Sequence, residues 1–121
     1  MSYCMPRSID LYLDDLLEAS NDILRFTQGV DFAGYESNRL LRAGVERLFT
    51  IIGEAMRQLD HHHPAYLHGI LEARKIVDFR NIIVHQYATI DDREIWSAVQ
   101  SKLPQFRDQV TMLIKARQPQ P

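Results

Sequence analysis

The stretch that decides the fold lies in the first half of the chain and reads Leu41-Arg-Ala-Gly-Val-Glu-Arg-Leu-Phe-Thr-Ile-Ile-Gly-Glu-Ala-Met-Arg-Gln-Leu59. Its apolar residues return every three or four positions, which is the spacing of one face of an α-helix. Ser37 or Asn38 is the expected N-cap. Gly53 costs about 1 kcal/mol relative to alanine inside a helix, and a close approach of a second helix would explain why it is tolerated. The apolar face consists of Leu41, Val45, Leu48, Ile52, Ala55, Met56 and Leu59.

The same periodicity predicts one helix before this stretch and two after it. The first begins after Ser8, the expected N-cap, and stops near Gly29. The third fits residues 65–86. The last begins at Asp91, which forms a pattern like a capping box with Glu94 three residues later.

Glycine, proline and turn residues place the breaks between these helices. The segment Gly29–Tyr35 has no helical period and is predicted to be a loop. Asp60–Pro64 breaks the pattern again. Pro104 lies inside the last helix, so a kink or a break is expected near Ser101–Leu103. Because no segment alternates with period two, the sequence predicts an all-α fold, an antiparallel up-down four-helix bundle with a kinked last helix.

Length and charge set the class of protein. The 121 residues fit a single domain, 1–121, in which an N-terminal arm (1–7) and a tail (117–121) are expected to be flexible. Cys4 is the only cysteine, which excludes a disulfide within the chain, and no apolar run approaches the ~20 residues that span a bilayer. A cytoplasmic protein without membrane contact is therefore expected.

The charge balance limits the kinds of nucleic-acid contact. With 14 basic and 16 acidic residues the net charge is −2, so a broad basic surface for nucleic acid is excluded. Any phosphate chemistry must be local or built by two chains.

The stretch that carries chemistry is Phe79-Arg-Asn-Ile-Ile-Val-His-Gln-Tyr87. At 100° per residue Arg80 and Tyr87 share one helix face and Asn81 and His85 share a neighbouring one, but Arg80 and His85 are about 140° apart. Either the helix distorts there or a second subunit supplies part of a site. The imidazole of His85 exchanges protons near neutral pH, and the guanidinium of Arg80 grips a phosphate at two points. Together they fit metal-independent phosphodiester cleavage; the alternative is a polar surface face with one hydrogen-bonded pair.

The pattern Arg80-Asn81-x-x-x-His85-x-Tyr87 resembles the R-x4-H-x-Y signature of the HEPN superfamily, and within it the HepT-like toxin branch. The resemblance covers about residues 8–115. Further segments follow in the order and spacing usual for that branch: Val45–Ala55, His63-Pro64, Lys75–Asn81, Ile90-Asp91, Trp96 and Leu103-Pro104.

The resemblance implies a homodimer in which the motif helices of two protomers face each other across a cleft, which would resolve the separation of Arg80 and His85. It implies a metal-independent ribonuclease, without a cofactor, that is the toxin of a type VII-like toxin–antitoxin system. His85 would act as general acid–base, Arg80 as phosphate clamp and Asn81 as an orienting residue. Tyr87 would contact RNA and accept AMP from a minimal nucleotidyltransferase antitoxin, which silences the nuclease. The implied substrate is messenger or transfer RNA, and no DNA is expected.

Two further groups of residues are candidates. Glu54 could lie near the cleft and pair with Arg80 or His85, or it could be an exposed helix glutamate. His61, His62 and His63 could bind a metal, but consecutive side chains on a loop diverge, so a polar helix-ending loop is the simpler interpretation. A non-catalytic HEPN module that binds a nucleotide or a partner protein stays open as the alternative to the enzyme.

Overall fold

The computed structural model describes residues 8–70, 72, 73, 75, 76, 78, 79, 83 and 91–118. Every regular element among them is helical, which confirms the predicted all-α class. Between the turn that ends at Gly69 and the helix that begins at Asp92, positions 73, 75, 76, 78, 79 and 83 are α-helical. The elements with defined bounds are α1 (Ile9–Phe26), α2 (Phe32–Ser37), α3 (Arg39–His62), a 3₁₀ turn (Pro64–Gly69), α4 (Asp92–Ser97), a π turn (Ala98–Lys102) and α5 (Leu103–Arg117).

The start of α1 follows the prediction, but the loop after it is shorter than predicted. The Ser8 hydroxyl accepts a hydrogen bond from the backbone N–H of Leu11 at 3.3 Å. The chain turns after α1 through Gly29, whose φ of +74° favours glycine. Asp31 then accepts a hydrogen bond from the N–H of Gly34 at 2.8 Å and begins α2. The prediction of a loop to Tyr35 is therefore wrong in its second half, because an aspartate cap and the burial of Tyr35 stabilise a short helix.

Helix α3 begins as predicted and ends later than predicted. Asn38 is its N-cap and accepts a hydrogen bond from the N–H of Leu41 at 3.0 Å. The helix continues through Asp60 to His62, and the chain leaves it at His63, just before Pro64. The predicted break at Asp60 is thus wrong for its first three residues.

The predicted third helix is also wrong over its first residues. Pro64–Gly69 is a 3₁₀ turn, and no α-helix begins at Ala65. Glu72 has a φ of +57°, a left-handed conformation that an α-helix cannot contain. The N–H of Ile76 donates to the carbonyl of Glu72 at 3.2 Å, so the left-handed residue itself accepts a helical hydrogen bond and the α-helical positions follow it.

The irregularity predicted for the last helix is a π turn. Leu103 donates its backbone N–H to the carbonyl of Ala98, five residues back, and Pro104, which has no N–H, follows directly. The hydroxyl of Ser101 donates to the carbonyl of Ser97 at 2.7 Å. The chain therefore absorbs the proline without breaking the helix, and α5 runs on to Arg117, the first residue of the predicted tail.

Helix α1 lies between α3 and α5 and supplies the centre of the core. Contacts of Asp10 with Arg117 and of Asn21 with Arg107 show that α1 and α5 run antiparallel. The predicted apolar stripes of α1, α3 and α5 face inward. Among the described residues no helix is long and apolar enough to cross a bilayer. The buried apolar side chains are Tyr12, Leu13, Leu16, Ala19, Ile23, Tyr35, Val45, Phe49, Ile52, Ala55, Met56, Leu59, Ile70, Ile83, Ile95, Val99, Leu103, Phe106 and Val110.

Arg117 closes one end of this packing. Its Nε lies 2.6 Å from Oδ1 of Asp10 and its Nη2 3.3 Å from Oδ2, so the carboxylate is held at two points. Its Nη1 donates to the hydroxyl of Tyr66, and the guanidinium lies 5.3 Å from the centre of the same ring. One side chain thus joins the start of α1, the end of α5 and the 3₁₀ turn. The hydrogen bond from Arg117 lowers the pKa of the Asp10 carboxyl, against a smaller opposing effect of burial.

We expect the Asp10→Asn variant to be less stable than the wild type at neutral pH and equally stable near pH 2. The pKa of Asp10 is lower in the folded than in the unfolded chain, so its stabilising contribution is present above the unfolded pKa and is lost as the pH falls through the folded one. Urea unfolding of both proteins between pH 2 and pH 7 measures the difference. Asp108→Asn, which changes an exposed carboxylate of α5, serves as the control. A destabilisation by Asp10→Asn that does not vary with pH would contradict the ion pair as its cause.

Candidate functional site

The predicted motif residues Arg80, Asn81, His85 and Tyr87 lie outside the described residues. The structure does describe Phe79, which precedes the motif, and Ile83, which lies at one of its variable positions; both are helical. Ile83 is buried, and the partly buried ring of Phe79 meets that of Phe49 edge-on, with 5.3 Å between the ring centres. The segment that carries the motif is therefore attached to the core through apolar side chains.

Glu54 is the one predicted site residue that is described, and it lies on α3 with its side chain 41% exposed. Its Oε1 accepts a hydrogen bond from Nε2 of Gln58 at 3.1 Å and lies 3.5 Å from Nη1 of Arg57. The carboxylate is thus oriented by the next turn of its own helix. The predicted pairing with Arg80 or His85 involves residues outside the described part of the chain.

Glu54 also lines an open cavity of about 580 Å³ between α1 and α3, which we call the α1–α3 groove. Its walls combine two carboxylates and two guanidiniums with hydroxyl and amide groups, so it can bind a polar, charged molecule. Of the acidic and phenolic residues here, Asp15, Glu54 and Tyr12 all have interaction partners. The lining is Tyr12, Asp15, Arg47, Thr50, Ile51, Glu54, Ala55, Arg57 and Gln58.

A second, larger cavity of about 660 Å³ lies between α3, the helical residues Lys75, Ile76 and Phe79, and the helical segment from α4 to α5, and we call it the apolar groove. Its floor contains Phe49, Phe79 and Phe106. At its edge the carboxylate of Glu72 bridges two amines, with Nζ of Lys75 at 3.2 Å and Nζ of Lys102 at 3.3 Å. These amines lower the pKa of Glu72. The apolar groove thus has a hydrophobic floor, and the charges of Glu72, Lys75 and Lys102 at its edge compensate one another.

A cluster of acidic groups that the sequence analysis did not find lies where α2, α3 and α4 meet, with Tyr35 buried and Glu46 and Asp92 partly buried. Tyr35 is fully buried, its ring stacks on that of Trp96 with 5.1 Å between centres, and its hydroxyl has no hydrogen-bond partner within the described part of the chain. Burial raises the pKa of the Tyr35 phenol, and the charges of Glu46 and Asp92 raise it further. Arg42 partly compensates, since its Nε lies 3.8 Å from Oδ2 of Asp92 and its Nη1 donates to the carbonyl of Glu36.

The pKa of the Glu46 carboxyl is raised first by burial and then by the charge of Asp92, against the opposing charge of Arg42. The spacing of Arg42 and Glu46, four residues apart on one helix, was visible in the sequence. The approach of Asp92 was not, because it depends on how α4 packs on α3. The cluster therefore depends on tertiary contacts that periodicity alone does not predict.

The three consecutive histidines form no metal site with the other residues that the structure describes. The ring centres of His61 and His62 are 4.5 Å apart and those of His62 and His63 are 6.3 Å apart, with the ring planes strongly inclined. Within the ranges that the structure describes, no group of three or more histidine, cysteine, aspartate or glutamate side chains could hold a metal ion. Nε2 of His63 is buried and has no partner there. The first two histidines belong to the last turn of α3 and are not in the predicted loop.

Comparison with known proteins gives the family. A family model described as ribonuclease HepT-like matches residues 16–113, from α1 to α5. The chain belongs to the HepT-like family. The matched range contains the Arg80–Tyr87 motif and Glu54, so the resemblance drawn from these residues is confirmed.

Relatives of similar length carry ribonuclease names. A candidate RNase of Methanocaldococcus jannaschii is 30% identical over 107 residues, which are 88% of this chain and 97% of the relative. A candidate ribonuclease HepT of Thermococcus cleftensis is 29% identical over 111 residues, which are 92% of this chain and 100% of the relative. A second M. jannaschii candidate RNase is 26% identical over 113 residues, 92% of each chain. No solved structure matches the chain.

We expect Glu46→Gln to raise the free energy of unfolding at pH 8, by less than about 1 kcal/mol because the side chain is partly exposed and solvent screens it. The pKa of Glu46 is higher in the folded chain, so its charge destabilises the fold above that pKa and has no effect once both states are protonated. The gain should therefore fade toward pH 4, as followed by urea unfolding. Glu18→Gln, at an exposed position of α1, is the matched control. An equal gain at both pH values, or an equal gain in the control, would contradict a burial penalty at Glu46.

Proposed function

We propose that this protein is a metal-independent endoribonuclease that acts in the cytoplasm as the toxin of a type VII-like toxin–antitoxin system. The observation that carries the proposal is the family match over residues 16–113, because it spans the whole Arg80–Tyr87 motif. The names of the relatives from M. jannaschii and T. cleftensis support the same activity. The motif contains the imidazole of His85 and the guanidinium of Arg80, the two groups that this activity requires.

The chemistry proposed for these residues needs only proton transfer and charge compensation. A ribose 2′-oxygen forms a bond to phosphorus while the bond from phosphorus to the 5′-oxygen breaks. His85 takes the 2′-hydroxyl proton and supplies the proton that the leaving 5′-oxygen needs. Arg80 compensates the negative charge that grows on the phosphate oxygens in the transition state. In this proposal Asn81 orients these groups and Tyr87 contacts the RNA. The substrate is messenger RNA or transfer RNA.

The proposed active form is a homodimer of four-helix bundles. The separation of Arg80 and His85 by about 140° around an ideal helix supports it, because two protomers can supply the two groups to one cleft. The net charge of −2 agrees with a local site built from two chains rather than a basic surface on one.

The proposed antitoxin is a minimal nucleotidyltransferase that transfers AMP to the hydroxyl of Tyr87. AMP would add a phosphate charge and a bulky nucleoside two residues from His85, at the place proposed for the RNA phosphate. Repulsion and steric exclusion would then silence the nuclease.

We expect the purified protein to cleave RNA in the presence of EDTA. We also expect the substitution His85→Ala to lower the cleavage rate by about 10²–10⁴-fold, because general acid–base catalysis typically contributes that much. Induction of the wild type without its antitoxin should slow cell growth, whereas the variant should not. Single-turnover cleavage of labelled RNA measures the rate. His68→Ala, at an exposed position of the 3₁₀ turn, is the matched control and should keep full activity.

Equal growth with the wild type and His85→Ala, together with no cleavage by either, would contradict the enzyme and favour the non-catalytic module. Cleavage that EDTA abolishes and Mg²⁺ or Mn²⁺ restores would contradict the metal-free mechanism alone.

We expect incubation with the nucleotidyltransferase partner and ATP to add the mass of AMP to the wild type and not to Tyr87→Phe. Intact-mass spectrometry measures the addition, and the modified wild type should lose its nuclease activity. Tyr66→Phe removes a different hydroxyl and should still gain AMP. An equal gain of mass in Tyr87→Phe would place the modification on another residue.

A further inference from the structure

The α1–α3 groove contains one charge that the described part of the protein leaves uncompensated. Its two carboxylates, Asp15 and Glu54, both have interaction partners. Arg57 lies against Glu54 at 3.5 Å. Arg47 is exposed and forms no ion pair or side-chain hydrogen bond with any residue that the structure describes. Among the described residues this guanidinium is therefore unpaired, and an anion from outside the chain is a suitable partner for it.

We propose that the α1–α3 groove binds the sugar–phosphate backbone of a single RNA strand, with Arg47 as its phosphate-binding residue. This inference rests on the proposed ribonuclease function and gives the substrate a binding surface beyond the Arg80–Tyr87 motif. A guanidinium presents a planar fork that matches two phosphate oxygens, which makes arginine better suited to this contact than lysine.

The dimensions of the groove fit a strand rather than a single phosphate. Arg47 and Arg57 are ten residues apart on α3, a rise of about 15 Å along the helix. In a strand that is stacked as in a duplex, phosphates follow each other at an axial spacing of about 3.4 Å, so a rise of about 15 Å corresponds to about four nucleotides of a stacked strand. The cavity of about 580 Å³ between them is open to solvent along α3.

The carboxylates in the groove suit RNA despite their charge. Gln58 and Arg57 already orient Glu54, which reduces its repulsion of a phosphate. A carboxylate accepts hydrogen bonds from ribose 2′-hydroxyls and base amino groups, the donors that RNA presents beside its phosphates. The groove thus offers guanidiniums for the phosphates of a strand and carboxylates for its donor groups.

The test measures RNA binding separately from cleavage. Every variant carries His85→Ala so that the strand stays intact, and fluorescence anisotropy of a labelled single-stranded oligoribonucleotide gives Kd at several KCl concentrations. Arg47→Ala should weaken binding about tenfold, the loss of one charge-assisted contact, and should lower the slope of log Kd against log salt by about 0.7, the effect of one phosphate contact on a single strand. Arg47→Lys should recover part of the affinity.

Arg39→Ala is the matched control, because it removes the same charge from an exposed position of α3 that does not line the groove. It should leave the salt slope of the His85→Ala parent unchanged. Equal effects of Arg39→Ala and Arg47→Ala would reduce the result to net charge and overturn the inference. Displacement of the strand by inorganic phosphate at a concentration far below that of KCl would assign the groove to a free anion and overturn it as well.

The design also separates the two proposals. If the parent binds RNA and Arg47→Ala changes nothing, the groove inference fails and the proposed function stands. If the parent does not bind RNA at any salt concentration and the wild type does not cleave it, both fail together.

Discussion

The structure depends on the burial of α1 between α3 and α5. Leu13, Leu16 and Ile23 of α1 are completely withdrawn from water, and each fully buried side chain of this kind contributes roughly 1.5–3 kcal/mol. A helix with apolar contacts on two sides fixes the distance and direction of both neighbours. The ion pair of Asp10 with Arg117 lies at the end of this packing. Because it is exposed to solvent, it contributes little to the free energy of unfolding and acts mainly to orient α5 against α1.

Periodicity predicted this part of the fold because each stripe is a local property of the sequence. The caps Ser8 and Asn38 were also readable, since a side-chain oxygen next to the first apolar residue is a local signal. The errors fall where tertiary contacts decide. Tyr35 lies in a helix because its ring is buried against Trp96. Trp96 is distant in the sequence, so the local pattern around Tyr35 does not predict this contact. Glu72 adopts a left-handed conformation beside its contacts with Lys75 and Lys102, which no propensity scale would assign to a glutamate.

The candidate site also combines features that the sequence predicts with features that depend on tertiary contacts. The chemical groups of the motif could be read directly from the sequence. Glu54 was also predicted as a candidate, but its environment was not: it lines a polar groove and has Arg57 and Gln58 as neighbours. The acid cluster of Tyr35, Glu46 and Asp92 could not be predicted, because three separate helices supply its members.

Charge compensation connects the near-neutral composition with the proposed function. Most described arginines and lysines lie against a carboxylate, so the basic residues give this part of the protein little free positive surface. Arg47 differs from most of the other described cations, because no described carboxylate lies within ion-pair distance of it. A protein of net charge −2 can therefore bind a polyanion at one place while its remaining surface does not attract nucleic acid. The compensated pairs are Arg25–Asp22, Arg42–Asp92, Arg57–Glu54, Lys75–Glu72, Lys102–Glu72, Arg107–Asp108 and Arg117–Asp10.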